Sequence, residues 1–411
     1  MYDDSNSMNL QANPDFSLFH VNSRSMNKNF ESVQELFLQL NNFQFSIIGL
    51  SETWLHKNSP PLFNIPNYHM FRSDRDNGRG GGVALYIHNH FKIKVRSDLH
   101  TEGAEDLYIE ILNDKTKNII VGIMYRPPNH NVDIFLDNFD RCLDTVSREN
   151  KEVYIMGDFN INLLNSDDNH IVKFSSTLQS YAFNPHIDKP TRISCISQTL
   201  IDNIFSNVAH NNFTNGLLYY DISDHLPIFI ISKVHLVKKI TKNNCAMHRK
   251  QTKHNIESLN FDLAKEDWVE VLCVSDVNVA YEKFLEIVLH YYHKNIPLVK
   301  IKKGKKAKQP WITKGILRSI VARNKLYKEA LTSQCNDKLK KYKTYRNHLT
   351  SLIRLSKKLY YSNNIESNKS NNSLLWKTVK ELLGKKNTES NKYFLINEQK
   401  ITDPMKISFS S

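Results

Sequence analysis

Cysteine is scarce in this 411-residue chain. There are five, Cys142, Cys195, Cys245, Cys273 and Cys335, an odd number with no Cys-x-x-Cys pair. That excludes a fully paired disulfide framework and a cysteine-rich zinc site, and it indicates a reducing compartment. Long apolar runs are missing too: none approaches membrane-spanning length, and the first residues, MYDDSNSMNLQANPD, carry no apolar signal core. The expectation is a soluble, intracellular protein with no membrane partner. Acidic residues are depleted in one half only. Residues 1–235 hold 19 Lys+Arg against 27 Asp+Glu, a net of −8; subtracting from the totals of 55 and 42 leaves 36 and 15 in residues 236–411, a net of +21. A near-neutral globular unit followed by a segment that seeks a polyanion accounts for that asymmetry, and nucleic acid is the commonest polyanion.

What the chain does contain, from Phe16 onward, is a succession of short apolar runs and helical patterns: FSLFHVN, FESVQELFLQL, FSIIGLSE, then GVALYI, LYIEI, IIVGIMY, VYIMGDFN, LIDNIF and HLPIFIISKV, with helices near 132–147 and 170–182. This is an α/β unit of ordinary single-domain size. After about residue 237 the strand pattern gives way to helical stretches, interrupted by the loop-like KIKKGKKAKQP. The expected organisation is a disordered N-terminus (1–15), an α/β domain (16–235), a helical connector (236–300) and a basic helical arm with a frayed C-terminus (301–411). Lys302, Lys303, Lys305, Lys306 and Lys308 are candidate nucleic-acid contacts of that arm, to DNA or RNA, and their composition also suits a nuclear import signal.

The chemistry-bearing residues sit where apolar strands stop. FSLFHVN ends on Asn22, FSIIGLSE on Glu52, IIVGIMY on Tyr125, and VYIMGDFN on Asp158 and Asn160. Singly, each has a plain structural reading as a cap or turn residue. Asp202, between Ile201 and Asn203 in a run that reads as buried, needs a partner because an unpaired buried charge is costly. His225, at the head of HLPIFIISKV, is that partner; a carboxylate would orient the imidazole and raise its pKa. The remaining acids suit a hard cation such as Mg²⁺ or Mn²⁺, with Glu52, Asp158 and Asn160 as its cradle.

In order along the chain, Asn22, SETW at 51–54, Tyr125 in MYRPP, GDFN at 157–160, LIDN at 200–203 and SDHLP at 223–227 resemble the endonuclease/exonuclease/phosphatase superfamily over residues 16–235. The resemblance implies a two-sheet β-sandwich flanked by helices (DNase I-like), here followed by a mainly α-helical basic C-terminal region. It implies Glu52 as metal ligand with Asn22 beside it and Asp224 as auxiliary acid, and Asp158 as the group orienting or deprotonating water. Asn160 and Tyr125 would contact the scissile phosphate, Asp202 and His225 would form the Asp-His pair, and Ser223, Thr191 and Arg126 are candidate substrate contacts. NSRS, SETWL, YRPP, GDFN and SDHLP together look most like the endonuclease of LINE-type, jockey-like retrotransposons. No Phe/Tyr-x-Asp-Asp polymerase sequence follows, so the expectation is a product truncated before the reverse transcriptase. The expected activity is Mg²⁺-dependent nicking of DNA in the nucleus. The alternatives are a non-catalytic nucleic-acid-binding remnant and a phosphoesterase of the same fold acting on another substrate.

Overall fold

The computed structural model describes residues 16–40, 43–59, 62–75, 80–114, 116–165, 167–194, 196–208, 213–232, 247–249, 251–300, 309–382, 394–396 and 399–401. The N-terminal fifteen residues and the lysines of 302–308 lie outside them. Residues 16–232 form β1 (Phe16–Asn22), α1 (Met26–Gln39), β2 (Ile47–Ser51), β3 (Tyr68–Ser73), β4 (Val83–His88), β5 (Ile93–Val95), β6 (Glu105–Ile111), β7 (Ile119–Tyr125), α2 (Val132–Arg148), β8 (Glu152–Asp158), α3 (Asn169–Ser180), β9 (Asn184–Pro185), β10 (Arg192–Ile193), β11 (Gln198–Thr199), β12 (Asp202–Ser206), β13 (Phe213–Leu217) and β14 (Ile228–Ser232). Six of the described strands make one sheet in the order β13-β14-β1-β2-β4-β3, and six make a second, β5-β6-β7-β8-β12-β9. Only β1/β2 and β7/β8 among these pairings are parallel.

Period-two alternation explains why both faces of each sheet are covered. From β1, Phe16 and Leu18 enter the layer between the sheets with Ile47, Val83, Leu85, Val121, Ile123, Met156 and Ile204. Phe19 and Val21, one step out of phase, face outward and pack with Phe30, Val33 and Leu36 of α1. On the second sheet, Ile120, Met124, Val153, Ile155 and Phe205 point outward onto Phe135, Phe139 and Leu143 of α2 and Phe174 of α3. Inner residues of β1, β7 and β8 therefore have the parity of Asn22, Tyr125 and Asp158, so these polar strand ends continue the inner faces. Gly157 is required where β8 passes β7: a Cβ there would lie 1.9 Å from the Met124 carbonyl oxygen.

The helical remainder divides. Lys238–Gln309 forms a compact unit of its own, in which a short ladder of β15 (Met247–Arg249) and β16 (Leu298–Lys300) accompanies α4 (Lys253–Lys265), α5 (Val269–Leu272) and α6 (Val277–Asn295). Tyr291 Oη donates to Glu266 at 2.6 Å and Trp268 packs on Phe284. By contrast, Pro310–Ser411 belongs to the same compact unit as Met1–Val237. It contains α7 (Lys314–Ser333), α8 (Asn336–Ser367), α9 (Asn372–Leu382) and the hairpin β17 (Phe394–Ile396) with β18 (Gln399–Ile401).

The basic segment expected as an arm thus has an apolar face committed to the sandwich. Ile316 and Ile320 of α7 and Leu349 and Ile353 of α8 complete the outer core of the first sheet. Arg323 stacks on Tyr220 at 4.7 Å, and Tyr342 and Arg346 both engage Asp221. Among the described residues no helix is long and apolar enough to cross a membrane.

This packing predicts that Ile320→Ala lowers the unfolding free energy of the sandwich by about 3 kcal/mol, the usual cost of emptying a buried isoleucine site. Urea denaturation followed by circular dichroism measures it. An unchanged transition would mean that α7 is not part of the domain's cooperative unit.

Candidate active site

Strand polarity gathers the polar ends at one end of the sandwich. Strands β1, β2, β7 and β8 finish there, whereas β12 and β14, antiparallel to β8 and β1, start there. Register places Asn22 opposite Ser51, Tyr125 opposite Asp158, and Asp158 opposite Asp202. Chain exits are strained here. Arg24, Ser25, Glu52, Trp54 and Asn160 all take positive φ, a conformation that non-glycine residues keep only when the surroundings over-determine it.

Asn22 is the hub of one half. Its amide nitrogen donates one hydrogen bond to Glu52 Oε1 and another to Asp158 Oδ2, both at 2.8 Å, so a single side chain holds two carboxylates that face one another. Trp54 Nε1 donates to the second Glu52 oxygen at 3.1 Å, which fixes the carboxylate plane. The SETW turn is in turn tied down by the glycine run: Thr53 N–H donates to Gly82 O at 3.1 Å and Trp54 N–H to Gly81 O at 2.9 Å. Gly81 and Gly82 stand at φ +70° and +79°, so the run is a fixed support for the exit of β2.

The second half is a buried charge group. His225 Nδ1 lies 2.8 Å from Asp202 Oδ2 and 4.0 Å from Asp158 Oδ2, and Asp158, Asp202 and His225 are nearly inaccessible to solvent. Burial, reinforced by the Asp202 charge, pushes Asp158 up to about 7. Burial opposes the charged form of His225, but the Asp202 and Asp158 carboxylates outweigh it and push the imidazole up to about 9. Burial likewise opposes ionisation of Asp202, yet His225 holds it below the ordinary carboxylate range. One layer deeper, His20 is driven down to about 4 by burial, so it is neutral at pH 7; its Nε2 lies 3.1 Å from Ser51 Oγ. Burial together with the Glu52 and Asp158 charges raises the Tyr125 hydroxyl, which stays protonated.

The residues expected at the substrate prove mostly to be supports. Thr191 is buried; its hydroxyl donates to Asp202 Oδ2 at 2.7 Å and accepts from the Asp202 N–H at 3.2 Å. Ser223 Oγ donates to the Asn22 carbonyl at 2.6 Å and accepts from the His225 N–H at 3.1 Å, tying the two halves together. The Arg126 guanidinium is buried and donates to the carbonyls of Phe159, Pro127, His130 and Asn160 at 2.7 to 3.1 Å. It braces the GDFN turn from behind. Asn160 Nδ2 donates to the Arg126 carbonyl at 2.9 Å. Asp224, expected as an auxiliary acid, has its carboxylate on Arg24 and Arg192. Trp54, His20, Arg24 and Arg192 were not singled out from sequence; Trp54 inside SETW and Arg24 inside NSRS carried a signal.

The donor set fits a hard divalent cation. Glu52 Oε1 and Asp158 Oδ2 are brought together by the Asn22 amide, and Asp202 Oδ1 is a buried carboxylate oxygen with no hydrogen-bond partner among the described residues. Carboxylate oxygens in this number suit Mg²⁺ or Mn²⁺.

A two-sheet sandwich with an Asn-Glu-Asp cradle and a buried Asp-His pair at one end suits hydrolysis of a phosphoester. The Endonuclease/Exonuclease/phosphatase family matches residues 7–225, and the chain belongs to that family. Similar solved structures include the endonuclease domain of TRAS1, a telomere-specific non-LTR retrotransposon (13% identity, TM-score 0.43, 53% of this chain and 99% of that one). The 3′-5′ exonuclease NExo from Neisseria meningitidis (15%, 0.42, 53% and 100%) and the human Nocturnin catalytic domain (14%, 0.40, 54% and 94%) are others. No curated protein matches the chain.

The electrostatics predict that, in the metal-free protein, His225 titrates near 9 and that Asp202→Asn lowers it. NMR of the imidazole ring measures it. Because the folded value exceeds the unfolded one, the stability from this proton is complete below about 6.5 and is lost as pH rises through about 9. A His225 titrating near 6.5 in the wild type would contradict the buried pairing.

Proposed function

We propose that this chain is a Mg²⁺-dependent DNA endonuclease that nicks one strand and leaves a 3′-hydroxyl, the endonuclease part of a LINE-type retrotransposon protein acting in the nucleus. The observation that carries the reading is the Asn22 amide, which holds Glu52 and Asp158 together beside the buried Asp202–His225 pair. The NSRS, SETWL, YRPP and SDHLP motifs support the retrotransposon part, and the surplus of cations in residues 236–411 supports nucleic acid as partner.

Glu52 and Asp158, joined by the Asn22 amide, would hold the cation. When bound, the cation polarises a phosphoryl oxygen and offsets charge that develops in the transition state. Asp158 orients the attacking water or accepts its proton. His225 uses Nδ1 on Asp202, which leaves its protonated Nε2 to donate to a non-bridging phosphate oxygen. Tyr125, held protonated, donates to the same phosphate, and the Asn160 amide exchanges the Arg126 carbonyl for it.

The full chain should convert supercoiled plasmid to open circles with Mg²⁺ and not with chelator. Asp158→Ala and His225→Ala should each slow nicking by about 10³-fold, within the range for a lost acid–base group. Nicking that survives either substitution would sink the site; hydrolysis of a small phosphodiester without plasmid nicking would move the substrate away from DNA.

A further inference from the structure

Two exposed arginines stand at the rim of the buried group, and one acid holds both. Arg24 follows Asn22 by two residues in a left-handed conformation (φ 43°), with its N–H donating to Asn22 Oδ1 at 3.0 Å. Arg192 opens β10, and its backbone forms a bridge with that of His225. Their guanidiniums meet at Asp224. Arg24 Nη1 lies 2.8 Å from Oδ1, while Arg192 places Nη2 at 2.8 Å and Nε at 3.0 Å from Oδ2. The arginine side chains are about half exposed, at 53% and 48%, and Asp224 is 32% exposed.

This differs from an ordinary surface ion pair in placement. Each member is a near neighbour in sequence or in the sheet of a buried site residue: Arg24 of Asn22, Arg192 of His225, and Asp224 of His225. A surface pair of this exposure adds little stability, whereas a left-handed arginine costs some, so stability does not account for the arrangement. Its chemistry does. A carboxylate seated between two guanidiniums presents two oxygens sharing one negative charge, as a phosphodiester does, and the arginine fork suits either.

We propose that Arg24 and Arg192 form a phosphate-binding subsite for the strand that flanks the cleaved phosphodiester, with Asp224 occupying it until the substrate's phosphate takes its place. The inference rests on the DNA reading of the site and extends it to a second phosphate. It also gives Asp224 a role whose sign is opposite to that of a metal ligand: removing its charge frees both arginines and strengthens binding of DNA.

The test uses the full chain with chelator and a fluorescein-labelled duplex oligonucleotide, with anisotropy read from about 50 to 200 mM salt. Arg24→Gln and Arg192→Gln should each weaken binding about tenfold and lower the slope of log K against log salt by about one. Arg24→Lys, which keeps the charge, should restore most of the slope and so separates lost charge from a disturbed turn. Asp224→Asn should tighten binding and steepen the slope. Glutamine variants with the wild-type slope, or an Asp224→Asn variant that binds no more tightly, overturn the subsite while plasmid nicking by the wild type leaves the DNA reading standing. A wild type that neither binds nor nicks duplex overturns both.

Discussion

Burial of two carboxylates and an imidazole side by side is the constraint on which the rest of this end of the molecule depends. Asp158 and Asp202 are each 1% exposed and His225 5%. Charges so placed are costly unless paired and fully hydrogen-bonded. His225 supplies the cation, Thr191 and the Asn22 amide supply donors, and Ser223 fixes the backbone that carries His225 relative to Asn22. Burial, reinforced by the neighbouring Asp202 charge, lifts Asp158 above the ordinary carboxylate range.

Much of this was legible in the sequence because a strand reports its own parity. Once Phe16 and Leu18 face inward, Asn22 must as well, and the same step-by-two logic carries Met156 to Asp158. An acid inside LIDNIF and a histidine heading HLPIFIIS could be matched by the cost of leaving either alone. What the sequence does not carry is spatial. Arg126 lies next to Tyr125 in the chain, yet its guanidinium turns back under the GDFN turn. Asp224 neighbours His225, but its carboxylate meets Arg24 and Arg192. Thr191 and Ser223 lie at the site, hydrogen-bonded to Asp202 and to the Asn22 carbonyl. Strand β3, half exposed at a sheet edge, and the Asn- and Gly-bearing β13 gave too weak a pattern to be read.

The helices after residue 310 show the same limit from the other side. Their periodicity declared an apolar face and their composition a cationic one, but neither names the surface that the apolar face covers. Contacts of Ile316 and Ile320 with the first sheet's outer core, and of Tyr342 and Arg346 with Asp221, show that α7 and α8 belong to the sandwich. Asp221 lies three residues before Asp224, so the stretch that leads into the site is pinned by these helices. Exposed Lys338, Lys340, Lys341 and Lys343 are carried on α8 around the same attachment.

The central claim is that Glu52 and Asp158, held by Asn22, form a cation site at the sandwich end. Titration of the wild-type chain with Mn²⁺, followed by electron paramagnetic resonance of the free ion, tests it most directly. The account predicts saturable binding that is abolished in Glu52→Gln and retained in Asp224→Asn. Binding that persists in Glu52→Gln, or that disappears only with Asp224→Asn, would contradict it.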